Sequence, residues 1–201
     1  MKTMTVAAFD FDKTMTRKDT LLPFLFHLYP LHRKLSKAIK LIPTVVQYKL
    51  GILENQEAKE RLLKAFLRNR SHEKLLQEAH VFSNLRLAHY VRAEALKRLH
   101  WHQAKGHQCI LISAGLEIYL KPWANSLGLE VSATRLKVHN GRVTGKIDGK
   151  NCYGQEKVNR LMKRFGPKEN FKLYAYGDSE GDRELLELAD CPYYRKMPSC
   201  R

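Results

Sequence analysis

The chain has 201 residues, of which 44% are hydrophobic: enough for one domain or a compact core with one sizeable insertion, and too apolar for a disordered chain. Lys and Arg number 36 against 20 Asp and Glu, a formal net charge of +16, so the surface attracts polyanions such as a phosphorylated substrate, an anionic membrane or a nucleic acid. No window reaches the roughly 18 uninterrupted apolar residues of a spanning helix, and the scattered Cys109, Cys152, Cys191 and Cys200 form no Cys-x-x-Cys pair, which excludes a zinc module or a dithiol redox centre.

Met1-Lys2-Thr3 runs directly into Thr5-Val6-Ala7-Ala8-Phe9 without a leader-like stretch, which, with the cysteine usage, predicts a reducing cytoplasm. The apolar, β-branched run reads as a buried strand that stops at the charged segment Asp10-Phe11-Asp12-Lys13-Thr14.

From Thr16 to His102 the pattern is helical with no convincing strand, so residues 16–102 are expected to form a helical insertion between two halves of a core, residues 1–15 and 103–201. Asn55 and Ser71 are expected as helix N-caps, with Glu57 and Glu73 in the turns that follow. Between Asp19 and Glu54 there is no acidic residue, while Arg33, Lys34, Lys37, Lys40 and Lys49 follow a run of Leu, Phe and Tyr. Such a segment suits either a helix packed over an active site or an interfacial helix on anionic lipid. His100 and His102, two apart on a helix, do not face each other and are read as surface and core residues rather than a metal pair.

Beyond the insertion, strands are expected at His107–Ile112, Leu129–Ala133, Phe171–Tyr176 and Pro192–Lys196. Leu116, Tyr119, Leu120, Trp123 and Leu127 recur with helical spacing, as do Val158, Leu161, Met162 and Phe165, and Gly128 and Gly166 stand as stops. Leu136, Val138, Val143 and Ile147 flank Asn140-Gly141, a hairpin signal. Alternating strands and helices predict an α/β fold with a mostly parallel sheet and a small antiparallel accessory.

In such sheets ligands gather beyond the carboxyl ends of the strands. Asp10, Asp12 and Thr14 follow the first strand, Ser113 the second, and Asp178 and Asp182 the strand ending at Tyr176. A turn after Phe9 would let Asp10 attack a phosphorus atom while Asp12 protonates the leaving alkoxide and then deprotonates water. Thr14 and Ser113 supply hydroxyl donors and Lys157 an ammonium group for the transferring oxygens. Asp178 joins Asp10 as a ligand for Mg²⁺, with Asp182 behind it orienting a metal-bound water or Lys157.

Asp10-Phe11-Asp12-Lys13-Thr14, Ile112-Ser113-Ala114-Gly115, Lys157 and Gly177-Asp178-Ser179-Glu180-Gly181-Asp182 resemble the four ordered motifs of the haloacid dehalogenase (HAD) phosphatases. Their order and spacing are similar to the phosphoserine-phosphatase-like branch, subfamily IB. The resemblance implies a Rossmann-like core with a helical cap between the first two motifs. It also implies Asp10 as nucleophile, Asp12 as acid/base, and Ser113 and Lys157 on the phosphoryl group. Mg²⁺ would be held by Asp10, Asp178 and the Asp12 backbone carbonyl, and Ala114 and Gly115 would lie beside the substrate. Asp12 favours phosphate-ester hydrolysis over carbon–halogen cleavage. Where phosphoserine phosphatases carry a Glu nine residues after the nucleophile, this chain has Asp19, a shorter candidate contact for the substrate.

A Mg²⁺-dependent hydrolase of small phosphomonoesters, working through an aspartyl-phosphate, is therefore expected. The alternative is a lipid phosphatase acting on phosphatidylglycerophosphate or a related phospholipid phosphate, in peripheral contact with an anionic membrane at its inner face. A nucleic-acid-binding role has the charge in its favour but no zinc finger, no RNP segment and no stacking platform.

Overall fold

The computed structural model describes residues 4–198, so Cys200 and the reading of Met1–Thr3 lie outside the described residues. A parallel sheet forms the centre, in the order β3-β2-β1-β6-β7, from β1 (Met4–Phe9), β2 (Gln108–Leu116), β3 (Glu130–Thr134), β6 (Phe171–Gly177) and β7 (Cys191–Tyr194). β1 lies between β2 and β6, with Ala8 opposite Ile110 on one side and Ala175 on the other. The chain winds outward to β3 on one side of β1 and resumes at β6 on the other. A crevice for a ligand therefore opens at the carboxyl end of β1.

The central strands β1, β2 and β6 are largely buried on both faces, as their apolar runs require. Val6, Ala8, Ile110, Ile112, Leu173 and Ala175 point into one core with Leu161 of α8 (Gln155–Phe165) and Leu185 of α9 (Arg183–Leu188). Ala7, Phe9, Leu111 and Tyr176 point to the other, where α6 (Ala93–Ala104) and α7 (Glu117–Asn125) contribute Ala95, Leu99, Tyr119 and Leu120. The two sets alternate along each strand, the period-two signature of a pleated sheet.

Between β1 and α6 lie α1 (Leu21–His27), α2 (Leu31–Lys40), α3 (Ile42–Lys49), α4 (Asn55–Leu67) and α5 (His72–Leu85). The outgoing and returning chains meet at a neck, where Thr16 bridges Val91, Arg17 N–H donates to the Tyr90 carbonyl (2.8 Å) and Arg92 N–H to that of Met15 (2.8 Å). α6 comes after this neck and packs on the sheet, with Arg98 and His102 both bonded to the Tyr176 hydroxyl. The expected boundary at residue 102 therefore cuts through a helix that lies on the core.

The hairpin of β4 (Leu136–His139) and β5 (Arg142–Ile147) connects the helical segment to the core. Asn69 N–H donates to the Val143 carbonyl (2.8 Å), Val143 N–H to that of Arg70 (2.9 Å), and Ile147 N–H to Glu60 Oε1 (3.0 Å). At Gly145, with φ of 81°, a Cβ would lie 2.6 Å from Lys64 Cα, so α4 approaches the hairpin only because that side chain is missing.

Ser71 caps α5 as expected, accepting from Lys74 N–H (3.4 Å). Asn55 does not cap α4, because Glu54 holds the N-cap position and makes no side-chain cap. The Asn55 side chain instead bonds Asn151 (2.6 Å) and the Tyr48 hydroxyl (3.1 Å). His102 is fully buried, in agreement with its reading as a core residue.

Candidate active site

β1 delivers Asp10 to the crevice in extended conformation, and its N–H donates to the Tyr176 carbonyl (2.9 Å) as the last rung toward β6. The chain then folds into a tight turn, Phe11–Met15, with Lys13 at a φ of 60°. Thr16 closes it: its N–H donates to the Phe11 carbonyl (3.0 Å) and its Oγ1 accepts from Lys13 N–H (3.0 Å). This turn brings Asp10 and Asp12, which an extended strand would send to opposite faces, into the wall of one chamber.

Asp10 is buried and receives the Lys157 ammonium at 2.6 Å; the same Nζ reaches Asp182 Oδ1 at 2.5 Å. α8 starts two residues before Lys157 and carries it beneath the ends of β1 and β6. The other Asp182 oxygen accepts from Ser179 Oγ (2.8 Å), Ser179 N–H (3.0 Å) and Asp178 N–H (3.1 Å), fixing the loop after β6. A Cβ on Gly177 would lie 2.4 Å from that of Asp182, so only glycine allows the strand end and this carboxylate to approach so closely.

Asp12 is gripped from the helical segment. Its Oδ1 accepts both the Thr20 N–H (2.8 Å) and the Thr20 hydroxyl (2.7 Å), and that hydroxyl also meets Tyr119 (3.2 Å). Ser113, at the end of β2, is buried, and its Oγ accepts from Gly115 N–H at 3.0 Å.

Burial pushes the Asp10 carboxyl up to about 6, and Asp182 adds to the rise against the opposing Lys157. Burial and then the Asp19 charge raise Asp12 to about 8, so its carboxyl is largely protonated at neutral pH. Burial alone would lower Lys157, yet Asp10 and Asp182 outweigh it and hold the ammonium above the usual lysine range. Burial opposes ionisation of Asp182, but Lys157 and Ser179 keep its carboxyl low. Asp178 is raised by burial and by Asp182.

Asp10, Asp178 and Asp182 each bring a carboxylate oxygen within 4.8 Å of the others. Asp182 is committed to Lys157 and Ser179, whereas among the described residues no group donates a hydrogen bond to the Asp178 carboxylate. An all-oxygen set with surplus negative charge fits a hard divalent cation such as Mg²⁺, with Asp10 and Asp178 as the carboxylates facing it.

The chamber measures about 570 Å³ and is also lined by Asp19, Ala114 and Gly115. Asp19 is exposed, and its Oδ1 accepts from Leu21 N–H (2.9 Å) at the start of α1. Thr14 is not brought into the set: it is buried away from the chamber lining, and its hydroxyl has no hydrogen-bond partner among the described residues.

Three further residues belong to the constellation without having been singled out in the sequence. Lys59 of α4 lines the chamber and donates to the Ala114 carbonyl and to Asn151 Oδ1 (2.9 Å). Burial lowers its ammonium to about 8, against the pull of Asp12. Asn151 Oδ1 also accepts from Thr134 Oγ1 (2.7 Å), and Thr20 holds Asp12. No local motif in the sequence marks any of them.

The sequence pattern of the haloacid dehalogenase-like hydrolases matches residues 7–187. The chain is 32% identical over 193 residues to the protein CicA of Caulobacter vibrioides, covering 94% of this chain and 85% of that one. It is 26% identical to a phosphoserine phosphatase of Archaeoglobus fulgidus, over 75% of this chain and 41% of the relative. Among solved structures, a protein of unknown function from Bordetella pertussis superposes with a TM-score of 0.82 at 24% identity, covering 95% of this chain and 89% of that one. A phosphoserine phosphatase carrying a phospho-aspartyl intermediate analogue gives 0.62 at 18% identity, over 94% and 84%.

Proposed function

The chain belongs to the haloacid dehalogenase-like hydrolases and is a phosphatase of their phosphoserine-phosphatase-like branch; from that premise we propose that it hydrolyses phosphomonoesters through an aspartyl-phosphate on Asp10. The observation that carries this reading is the placing of two carboxylates, held by different partners, in the wall of one chamber. Asp10 is held beside Lys157 at 2.6 Å, and Asp12 is gripped by Thr20 and pushed up to about 8.

The ionised Asp10 attacks phosphorus, forming an O–P bond as the ester O–P bond breaks. Asp12 gives its proton to the departing alkoxide and, as a carboxylate, then takes one from the water that cleaves the aspartyl-phosphate. Both carboxylates end the cycle as they began. Ser113 and backbone N–H groups of the irregular end of β2 and the start of α7 receive the equatorial oxygens, and Lys157 holds Asp10 in line. Asp10, Asp178 and the Asp12 backbone carbonyl would hold Mg²⁺, which would supply charge neutralisation for phosphoryl transfer.

We assign residues 16–92 to a cap over the chamber, with its boundary at the neck formed by Met15–Arg17 and Tyr90–Arg92. Asp19 and Lys59 then face the alcohol portion of the substrate rather than the phosphate.

The test is turnover of a phosphomonoester panel with and without Mg²⁺. Wild-type activity that depends on Mg²⁺ and vanishes in Asp10→Asn supports the reading. Unchanged Mg²⁺-dependent turnover in Asp10→Asn refutes the nucleophile.

A further inference from the structure

The roof of the chamber is apolar. Leu21, Phe26, Leu41, Val45, Leu62 and Phe66 extend it away from Asp10, and its 570 Å³ far exceeds what a phosphate on a three-carbon head requires. A polar amino-acid head would leave most of this wall in contact with water.

The outer surface of the same helices is equally unusual. Leu31, Leu35, Ile39, Ile42, Val46 and Leu50 recur at helical spacing along α2, α3 and the residue after it, yet they face solvent, with 80% of Leu31, 63% of Leu35 and 69% of Leu50 exposed. An outward apolar stripe of this length exceeds the single exposed side chains of an ordinary surface. Arg33, Lys34, Lys40 and Lys49 lie in the same helices, and residues 20–53 contain no acid. Leu22, Val45 and Tyr48 line the chamber and are also exposed, so the chamber opens on this face.

We propose that α1–α3 dock on an anionic lipid bilayer and that the chamber takes the hydrocarbon chain of a phosphomonoester drawn from it. The occupant follows from complementarity. An apolar stripe enters the acyl boundary while flanking cations meet anionic headgroups, their stems lying along the apolar surface. A chain leaving the bilayer through the opening at Leu22, Val45 and Tyr48 has apolar wall to follow toward the phosphate site. The inference rests on the phosphomonoesterase reading above and names the class of substrate for that site.

Two measurements test it on the full chain. The first is co-sedimentation with vesicles of phosphatidylcholine containing a minority of phosphatidylglycerol. Wild-type binding is expected, falling several-fold as salt is raised, and the triple variant Leu31→Ser, Leu35→Ser, Ile39→Ser should lose at least ten-fold while keeping its circular dichroism spectrum. The second is kcat/KM along a series of alkyl phosphates from ethyl to dodecyl, kept monomeric in solution. A rise of at least ten-fold is expected, since each buried methylene is worth up to about four-fold.

Asp10→Asn separates the two readings, because it should bind vesicles like the wild type while turning over nothing. Turnover of short phosphomonoesters with no vesicle binding and no gain from chain length overturns the inference and leaves the phosphatase reading standing. Vesicle binding that the triple variant does not weaken overturns the docking face. Vesicle binding through that face with no turnover of any phosphomonoester supports the surface and defeats the catalytic reading.

Discussion

Lys157 sits between Asp10 and Asp182 with its ammonium buried, so removing its charge leaves two carboxylates facing each other without a cation. Lys157→Met is expected to lower kcat by at least ~10²-fold and to destabilise the fold by about 3 kcal/mol, as breaking a buried ion pair does; steady-state kinetics and denaturant titration read both. Asp12 gives a pH signature. Its carboxyl is raised to about 8, and if it serves as the proposed acid, kcat for esters with poor leaving groups should fall as pH rises through that value. Asp12→Asn should lose about 10²–10⁴-fold on such esters and less on p-nitrophenyl phosphate, whose leaving group needs no proton. A pH profile that remains flat past 9 in the wild type contradicts the assignment. Asp10, Asp12, Ser113, Lys157 and Asp178 were legible in the sequence because each follows or supports a strand end, where function concentrates. Lys59 and Asn151 were not, because what brings them to the chamber is packing between segments some 90 residues apart in the chain, as in their own bond, and Thr20 was not, because its hold on Asp12 depends on the turn between them.

At the scale of elements, the five sheet strands and the helices α7 and α8 followed from hydrophobic period and glycine stops, α9 did not, and Asn140-Gly141 marked its hairpin. The hairpin's role was hidden. Its hydrogen bonds to Asn69, Arg70 and Glu60 make it a clamp between the inserted helices and the sheet, and only Gly145 hints at the close approach of α4. Gly145→Ala should therefore lower Tm through about 1–3 kcal/mol of strain and overpacking, and limited proteolysis should then cut first within residues 50–90. A variant with wild-type Tm and cleavage pattern would show that the clamp carries no stability. The expected end of the insertion at residue 102 falls inside α6, which continues the helical rhythm of the segment before it, while Thr16 pairs with Val91 ahead of that helix.

For the whole molecule, the core behind β1 contains a titratable centre that catalysis does not use. His102 contacts Tyr176 (2.8 Å) and His107 (2.7 Å), stands beside Arg98, Trp101, Tyr174 and Phe9, and is pushed down to about 3 by burial and by the Arg98 and His107 charges. An unfolded histidine titrates near 6.5, so between these values the unfolded chain binds the extra proton. Stability should be fully present above about pH 6.5 and decline as pH falls toward 3, by up to ~1.4 kcal/mol per unit from this residue. His102→Asn should be less stable at neutral pH but show a shallower decline. An equal loss of unfolding free energy between pH 7 and pH 5 in the wild type and His102→Asn, read by urea titration, would contradict this prediction.

The covalent role of Asp10 remains the claim on which the catalytic account turns. Its most direct measurement is mass analysis of peptides from enzyme quenched in acid during Mg²⁺-supported turnover. A phosphoryl adduct on the peptide containing Asp10, absent together with turnover in Asp10→Asn, is the predicted result. An adduct on any other residue, or turnover that survives in Asp10→Asn, would contradict it.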